Sequence, residues 1–336
     1  MCAGLGTRYS AAVVRIDTGG SARFCRAYGA LSAERGAPPV YPDTRFDIAS
    51  LTKIFVSTVA LALVATGRLA LDAPLTDEVP EWRENAHAAV TLRLILAHAA
   101  GFRSGADYRT LLDRNVESFA LHEPLVGLPG RRVVYSDLGF IALGVVLARS
   151  SGTSLAHLLH TSLRAYGARR TTFGVPANER RRVAATERDA WRGLLQGVVH
   201  DEKAYLMNGS AGHAGLFADA ADVARAGEWY LGALHGRGSP LDPELARSAV
   251  REAAFDPVLR RGLGWALKTT ADNSCGERIS GAAFGHTGFT GTSVWLDPER
   301  DASIVFLTNA VHFGRTDLRA VRADVCDAAV AALDAA

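Results

Sequence analysis

Strand-type segments occupy both ends of this sequence, and helical segments fill the stretch between them. Residues 11–16 and 22–28 have strand composition, and the turn signal at 17–20 between them predicts a hairpin. An amphipathic helix is predicted at about 315–333. Strand character returns before it, at residues 263–268, 283–287, 292–296 and 304–307. Because chain ends usually meet in space, the simplest architecture is one sheet built from both ends.

Helical patterns dominate the middle of the chain, where residues 104–134 are predicted to be loop-rich. The clearest helices are predicted at about 50–67, 91–98, 138–149 and 221–234. We therefore predict an α+β fold in which residues 1–75 and 261–336 form a domain with a central antiparallel sheet. Residues 76–260 form a mainly helical domain inserted into it, and the active site lies in the cleft between the two.

The composition is that of an ordinary globular protein: 336 residues, 48% hydrophobic, 21% charged, with a net charge of +2. The basic residues are scattered, which argues against nucleic acid or a membrane surface as a partner. No run of about twenty apolar residues predicts a membrane span, and residues 1–8 lack the features of a signal peptide. Four widely spaced cysteines form no metal or disulfide pattern. We therefore expect a cytoplasmic protein with reduced thiols, and leave its oligomeric state open.

The segment Phe46–Phe55 contains Ser50-x-x-Lys53 where an extended run gives way to a helical one. Residues three apart on a helix share a face, so the Lys53 amine can reach the Ser50 hydroxyl. At a helix N-terminus, free N–H groups and the helix dipole favour negative charge developing on Ser50. A serine nucleophile can be activated in this way without a histidine. The alternative is an N-cap serine followed by an ordinary surface lysine.

Lysine is scarce in this chain, which makes the motif more specific. Its lysines are Lys53, Lys203 and Lys268, and every other member of the Lys and Arg group is arginine. Arginine keeps its proton near neutral pH, whereas a buried lysine can release it. A lysine at position 53 therefore favours a role in proton transfer.

Tyr135-Ser136-Asp137 lies where a loop meets a helix, a position from which a side chain can point into a cleft. A tyrosine beside a lysine ammonium can have its pKa lowered enough to act as a general base. The alternative is a tyrosine that packs its ring and hydrogen-bonds its hydroxyl, with Ser136 or Asp137 capping the next helix.

Residues 284–292, Phe-Gly-His-Thr-Gly-Phe-Thr-Gly-Thr, form a glycine-rich strand segment. Glycine inside a strand often marks the close approach of another backbone or a ligand. The N–H groups of Phe289 and Ser50 could hold the oxyanion of a tetrahedral intermediate. A bulged edge strand with a buried, hydrogen-bonded His286 explains the same segment without a function.

Together, Ser50-x-x-Lys53, Tyr135-Ser136-Asp137 and His286-Thr287-Gly288 resemble, in kind and order, the three motifs of the serine β-lactamase-related, penicillin-recognising family. The resemblance spans about residues 10–330 and is greatest to the class C-like branch, which includes esterases and D-peptidases. It implies a β-lactamase/transpeptidase-like fold, with a five-stranded antiparallel sheet and a helical domain. It also implies that the protein needs no metal and no cofactor.

The resemblance assigns roles as well. Ser50 would be the acyl-accepting nucleophile, Lys53 would help to deprotonate it, and Tyr135 would shuttle protons as the base. The expected residues of the substrate-binding and oxyanion region are Asp137, His286, Thr287, Gly288 and Phe289.

Two residues depart from the family pattern. Asp137 replaces the usual Asn of the second motif and would place a negative charge in the cleft. His286 replaces the Lys of the third motif, so a substrate carboxylate would be bound there only when the imidazole is protonated. Both departures weaken a β-lactamase interpretation and favour an esterase or amidase with a neutral or larger acyl group.

Other chemistries receive less support. His98 and His213 lie in Gly- or Ala-rich turns, where we expect them to fix loop geometry. No Gly-x-Ser-x-Gly elbow is present, and no His pair at helical spacing together with a carboxylate suggests zinc. The sequence predicts a serine hydrolase whose partner is a small-molecule ester or amide. It leaves open an acyltransferase or transacylase, a β-lactamase or D-amino peptidase, and, with less support, a silent binding module.

Overall fold

The structure, a computed structural model, describes residues 4–258, 260–269 and 273–335. Its strands are β1 (Ala11–Thr18), β2 (Ser21–Gly29), β3 (Phe46–Asp47), β4 (Thr172–Phe173), β5 (Arg188–Asp189), β6 (Gly193–Leu194), β7 (Leu216–Ala218), β8 (Ala266–Leu267), β9 (Phe284–Thr287), β10 (Ser293–Asp297) and β11 (Ala302–Thr308). Its α-helices are α1 (Thr52–Ala65), α2 (Leu92–Leu96), α3 (Val116–His122), α4 (Asp137–Ser151), α5 (Leu155–Ala165), α6 (Glu202–Leu206), α7 (Ala220–Leu234), α8 (Pro243–Ala249) and α9 (Arg319–Asp334).

The central sheet joins the two ends of the chain. Its strand order is β2-β1-β11-β10-β9-β8, and every neighbouring pair is antiparallel. The first and last long strands pair along their length, from Ala12 opposite Thr308 to Thr18 opposite Ala302. The predicted α+β fold with an antiparallel sheet is therefore confirmed. The sheet has six strands rather than the five implied by the family, because the two-residue β8 extends its edge.

Successive side chains along each strand point to opposite faces of the sheet, and both faces are buried. Val13 and Val305 belong to the large core that contains α1, α4 and α7, whereas Val14 and Ile304 pack with α9 on the opposite face. Helix α7 lies very close to β10, since a Cβ added to Gly227 would stand 2.4 Å from Leu296 Cδ2. The sheet is thus enclosed between helices, with α1 buried along most of its length.

The short elements differ most from the prediction. Helix α3 lies inside the stretch 104–134 that was predicted as loop, and β3, β7 and β4 form a small sheet that the sequence pattern does not indicate. The last helix begins at Arg319 rather than near 315, and the Asp317 carboxylate accepts a hydrogen bond from the Arg319 N–H at 2.8 Å. The division into an inserted helical domain and a sheet domain stays a prediction. Helix α7, which falls in the predicted helical range, packs on the sheet.

Two further sequence predictions concern cysteines and membranes. Cys25, Cys275 and Cys326 are free thiols, and Cys2 lies outside the described residues. By length and composition, no single helix of the described part of the chain could cross a membrane. Helices α4 and α5, which meet at a bend of 78°, reach the required length and apolar composition only when they are taken together.

Candidate active site

Ser50 lies on a strained turn between β3 and α1. The turn is a short 3-10 segment, Ala49–Leu51, in which Ala49 has a φ of 45°. That left-handed conformation is costly for a residue with a side chain and persists only where the surroundings impose it. The buried Asp47 carboxylate imposes it here, by accepting hydrogen bonds from the Ala49 N–H at 2.8 Å and the His200 N–H at 2.7 Å. Ser50 therefore stands immediately ahead of α1 on a fixed backbone.

Lys53 is fully buried and its ammonium group has three acceptors. Nζ lies 3.0 Å from Ser50 Oγ, 2.9 Å from Asp137 Oδ1 and 3.2 Å from the His213 carbonyl oxygen. Burial lowers the pKa of Lys53, but Asp137 and Tyr135 outweigh burial and the net shift is upward. The amine is therefore held as an ammonium that donates a hydrogen bond to Ser50, rather than as a free base.

Asp137 does not stand as a free negative charge in the cleft. Its Oδ1 pairs with Lys53, and its Oδ2 lies 3.4 Å from Lys203 Nζ. Lys203 also pairs with Asp201 at 3.2 Å, and Asp201 accepts from His213 Nε2 at 2.8 Å. Burial raises the pKa of Asp137, but Lys53, His213 and Lys203 outweigh burial and bring the pKa below its usual value. Its carboxylate is thus shared between two ammonium groups.

Lys203 and Asp201 were not predicted as site residues. The signal was present in the composition, since Lys203 is one of the three lysines in the chain. The scarcity argument that singled out Lys53 applies to it equally. The sequence did not show that α6 brings it to Asp137.

A metal is not needed to explain this cluster. Ligand atoms of Asp137, Asp201 and His213 lie within 4.8 Å of one another. The Lys203 ammonium already contacts both carboxylates, at 3.4 Å and 3.2 Å. A metal cation would be repelled by this ammonium and by Lys53.

Tyr135 sits against the same ammonium and is held by His98. The Lys53 Nζ is 4.9 Å from the centre of the Tyr135 ring, and the His98 ring centre is 4.4 Å from it. His98 has a φ of 56°, and its Nδ1 accepts from the Ser136 N–H at 3.0 Å. Ser136 Oγ in turn caps α4 by accepting from the Gly139 N–H. Ser136 is therefore the capping residue, and Tyr135 lines the cleft. The geometry of His98 agrees with a role in fixing the loop.

His286 lies beside Tyr135 but is neutral. Its ring centre is 6.0 Å from that of Tyr135, and its Nδ1 donates to the Thr287 carbonyl at 2.8 Å. Burial is the main cause that lowers the pKa of His286 to about 3, and the positive charges of Arg261 and Lys53 add to it. A charged imidazole is therefore not available to bind an anion near neutral pH.

The turn after β9 packs directly on the backbone ahead of Ser50. Gly288 N–H donates to the Thr292 carbonyl at 2.7 Å, and a Cβ at Gly288 would stand 2.5 Å from the Ile48 carbonyl oxygen. Phe289 at the tip is 58% exposed and stacks on His200, with ring centres 5.7 Å apart. The proposed pairing of the Phe289 and Ser50 amides as an oxyanion hole stays a prediction.

One cavity of about 540 Å³ is lined by Ser50, Tyr135, Arg261 and residues 286–289. A larger space of about 1110 Å³ lies elsewhere, between β1, β2 and α9, and it contains none of these groups. The smaller cavity is the candidate site because it joins the serine hydroxyl, the phenol and the glycine-rich strand.

Known proteins are similar to this chain along most of its length. A family model described as Beta-lactamase matches residues 4–327. A putative D-alanyl-D-alanine carboxypeptidase of Escherichia coli is 30% identical, covering 80% of this chain and 70% of that protein.

Two solved structures share the fold. EstCE1, described as a hydrolase with promiscuous acyltransferase activity, has a TM-score of 0.78 at 21% identity and covers 97% of this chain and 94% of its own. A class C beta lactamase from Rhodobacter sphaeroides has a TM-score of 0.75 at 20% identity, covering 98% and 96%. At these identities the structures support the fold, and the activity has to be argued from the site.

Proposed function

Because this chain belongs to the beta-lactamase family and is a serine hydrolase of that family, we propose that it cleaves an ester or amide through a covalent acyl-enzyme on Ser50. The observation that carries the proposal is the 3.0 Å contact between Ser50 Oγ and the buried Lys53 ammonium, in a cavity that Tyr135 also lines. A hydroxyl that accepts a hydrogen bond from a buried ammonium, in a cavity that also contains a phenol able to act as base, is placed for nucleophilic attack.

The proposed chemistry assigns each group one task. Tyr135 acts as a phenolate that the adjacent Lys53 ammonium stabilises; it accepts the Ser50 proton as Oγ bonds to the carbonyl carbon and becomes a neutral phenol. The amides of Ser50 and Phe289 hold the oxyanion. Tyr135 then returns the proton to the departing alcohol or amine as its bond to the acyl carbon breaks. Water attacks the acyl-enzyme, which releases the acid and restores Ser50.

An ester or amide is preferred over a β-lactam because the third motif carries the neutral His286. A D-peptidase remains an alternative, supported by the name of the E. coli relative. An acyltransferase is the second candidate, supported by the description of EstCE1, since an alcohol or amine can replace water in the last step. A catalytically inactive binding module is less favoured because the proposed catalytic residues Ser50, Lys53 and Tyr135 are all present.

The decisive variant is Ser50→Ala. We expect it to abolish hydrolysis of p-nitrophenyl butyrate and the covalent label from a fluorophosphonate, detected as an intact-mass increase, because the nucleophilic oxygen is gone. Ser118→Ala, in the exposed part of α3, is the matched control and should keep both. Labelling and turnover that persist in Ser50→Ala would rule out the mechanism. Products formed with and without added alcohol or amine would separate hydrolysis from acyl transfer.

A further inference from the structure

The side chain of Arg322 holds the carbonyl group of Gly288 in the turn after β9. Arg322 lies in α9 and is 8% exposed, and its Nη2 donates to the Gly288 carbonyl oxygen at 2.8 Å. The Gly291 N–H donates to the same oxygen at 3.1 Å. Burial lowers the pKa of Arg322 to about 10, and the Asp317 carboxylate opposes this effect. The guanidinium therefore stays charged near neutral pH, and its hydrogen bond to the carbonyl is of the stronger, charge-assisted kind.

The Gly288 carbonyl and the Phe289 N–H belong to the same peptide group. In a trans peptide these two groups point in opposite directions, and the described residues contain no cis peptide bond. The donors on the carbonyl therefore turn the Phe289 N–H away from Arg322 and Gly291. This N–H donates no hydrogen bond to any group of the described residues, and Phe289 lines the cavity that contains Ser50. It is available to a substrate oxygen that develops negative charge.

We propose that Arg322 is a positioning residue for the reaction: by fixing the peptide group between Gly288 and Phe289, it directs the Phe289 N–H at the oxyanion that forms when Ser50 attacks. Glycine restricts its backbone least, so the orientation of this peptide group depends on its contacts. The guanidinium charge also polarises the peptide group, which makes its N–H a stronger donor. The inference rests on the proposed function, because it requires an acyl-enzyme on Ser50. It adds a residue that acts on the oxyanion through the backbone.

The variant that tests the inference is Arg322→Met, which removes the donor and keeps an unbranched side chain. The assay uses p-nitrophenyl butyrate, an ester that carries no charge for a cation to bind. We expect kcat to fall about 10- to 100-fold, less than the loss for removing an oxyanion donor outright, because the N–H is misdirected rather than lost. KM should change little, since the contact strengthens only when the oxyanion forms.

Two further variants complete the series. Arg322→Lys keeps a charged donor without the planar guanidinium, and it should show part of the loss in kcat. Arg319→Met is the matched control, because Arg319 lies one turn earlier in α9, lines the same cavity and pairs with Asp317 at 2.8 Å. This control should keep the native kcat.

A boronic acid gives a second readout that does not need turnover. Phenylboronic acid adds reversibly to the Ser50 hydroxyl oxygen, and the tetrahedral adduct places a boron-bound oxygen where the oxyanion would lie. We expect its Ki to rise in Arg322→Met by about the factor by which kcat/KM falls, and to stay native in Arg319→Met. A purely structural role would lower the free energy of unfolding in urea without this proportionality.

A native kcat with p-nitrophenyl butyrate in either folded variant of Arg322 would overturn the inference. A loss confined to p-nitrophenyl hydrogen adipate, which carries a carboxylate, would also overturn it and assign Arg322 to the substrate itself. If Arg322→Met does not fold, Arg322→Lys, which retains the buried charge, decides by the same two measurements. Turnover and fluorophosphonate labelling of Ser50 in the native protein uphold the proposed function in each of these cases, and their absence would overturn both.

Discussion

At the scale of single residues, the charge on Asp137 decides how firmly Lys53 holds its proton. Asp137 lies 2.9 Å from Lys53 and 3.4 Å from Lys203, so one carboxylate serves two ammonium groups. An asparagine at this position would leave the two ammonium groups facing each other with Asp201 as the remaining carboxylate of this cluster. The negative charge of Asp137 thus compensates for the second positive charge that Lys203 brings close to Lys53.

We predict that Asp137→Asn shifts the alkaline limb of the pH profile of kcat/KM to lower pH, by about one unit or more. The physical reason is that Lys53 loses the opposite charge that raises its pKa. Adding Lys203→Met should move the limb back toward its original position, because it removes the repelling ammonium. An alkaline limb that stays in place in Asp137→Asn would show that another group sets the protonation of this site.

At the scale of elements, the turn after β9 holds the backbone that presents Ser50. The Thr290 hydroxyl donates to the Asp47 carbonyl at 2.7 Å, and the Thr292 hydroxyl donates to the Ile48 carbonyl at 3.2 Å. Both threonines are fully buried. Hydrogen bonds therefore join the segment ahead of Ser50 to the turn after β9. This turn helps the Asp47 carboxylate to hold Ala49 in its left-handed conformation.

We predict that Thr290→Val lowers the free energy of unfolding by about 1–3 kcal/mol, since it leaves the buried Asp47 carbonyl without this donor. It should also lower kcat more than it raises KM, because the Ser50 turn relaxes. Thr290→Ser keeps the hydroxyl and should preserve kcat. Urea unfolding and p-nitrophenyl ester kinetics provide the measurements. A kcat equal to that of the native protein would mean that this contact does not position Ser50.

At the scale of the whole molecule, burial of neutral histidines links stability to pH. Burial is the main cause that lowers the pKa of both His98 and His286, the latter to about 3. In the unfolded chain the pKa of a histidine is about 6.5. Between pH 6.5 and about 3, the unfolded chain binds a proton at His286 that the folded protein does not. Stability therefore falls as pH falls through this window.

We predict that His286→Gln makes the free energy of unfolding less dependent on pH between pH 6 and 4. The slope should decrease by about 1 kcal/mol per pH unit, close to the limit for one group. His122→Gln, at an exposed position of α3, is the control and should keep the native slope. Equal slopes for the native protein and His286→Gln would contradict the buried neutral state.

The sequence by itself determined the features that depend on neighbours along the chain. Strand and helix periodicity placed β1, β11 and α4 close to their observed bounds, because alternation and amphipathicity are local properties. The contact between Ser50 and Lys53 followed from helical spacing. The approach of Tyr135 and His286 followed from the resemblance and could not be read from spacing, since they are far apart in the chain.

Only the tertiary structure decided the charge state of the site. The pairing of Asp137 with Lys203, and the place of Arg261 over Tyr135, depend on how α6 and the strand edge near β8 pack against α4. The pKa of Lys53 follows from burial and from charges at 2.9 Å, neither of which the order of residues reveals. Electrostatic energy depends on distance and solvent exposure, and folding sets both.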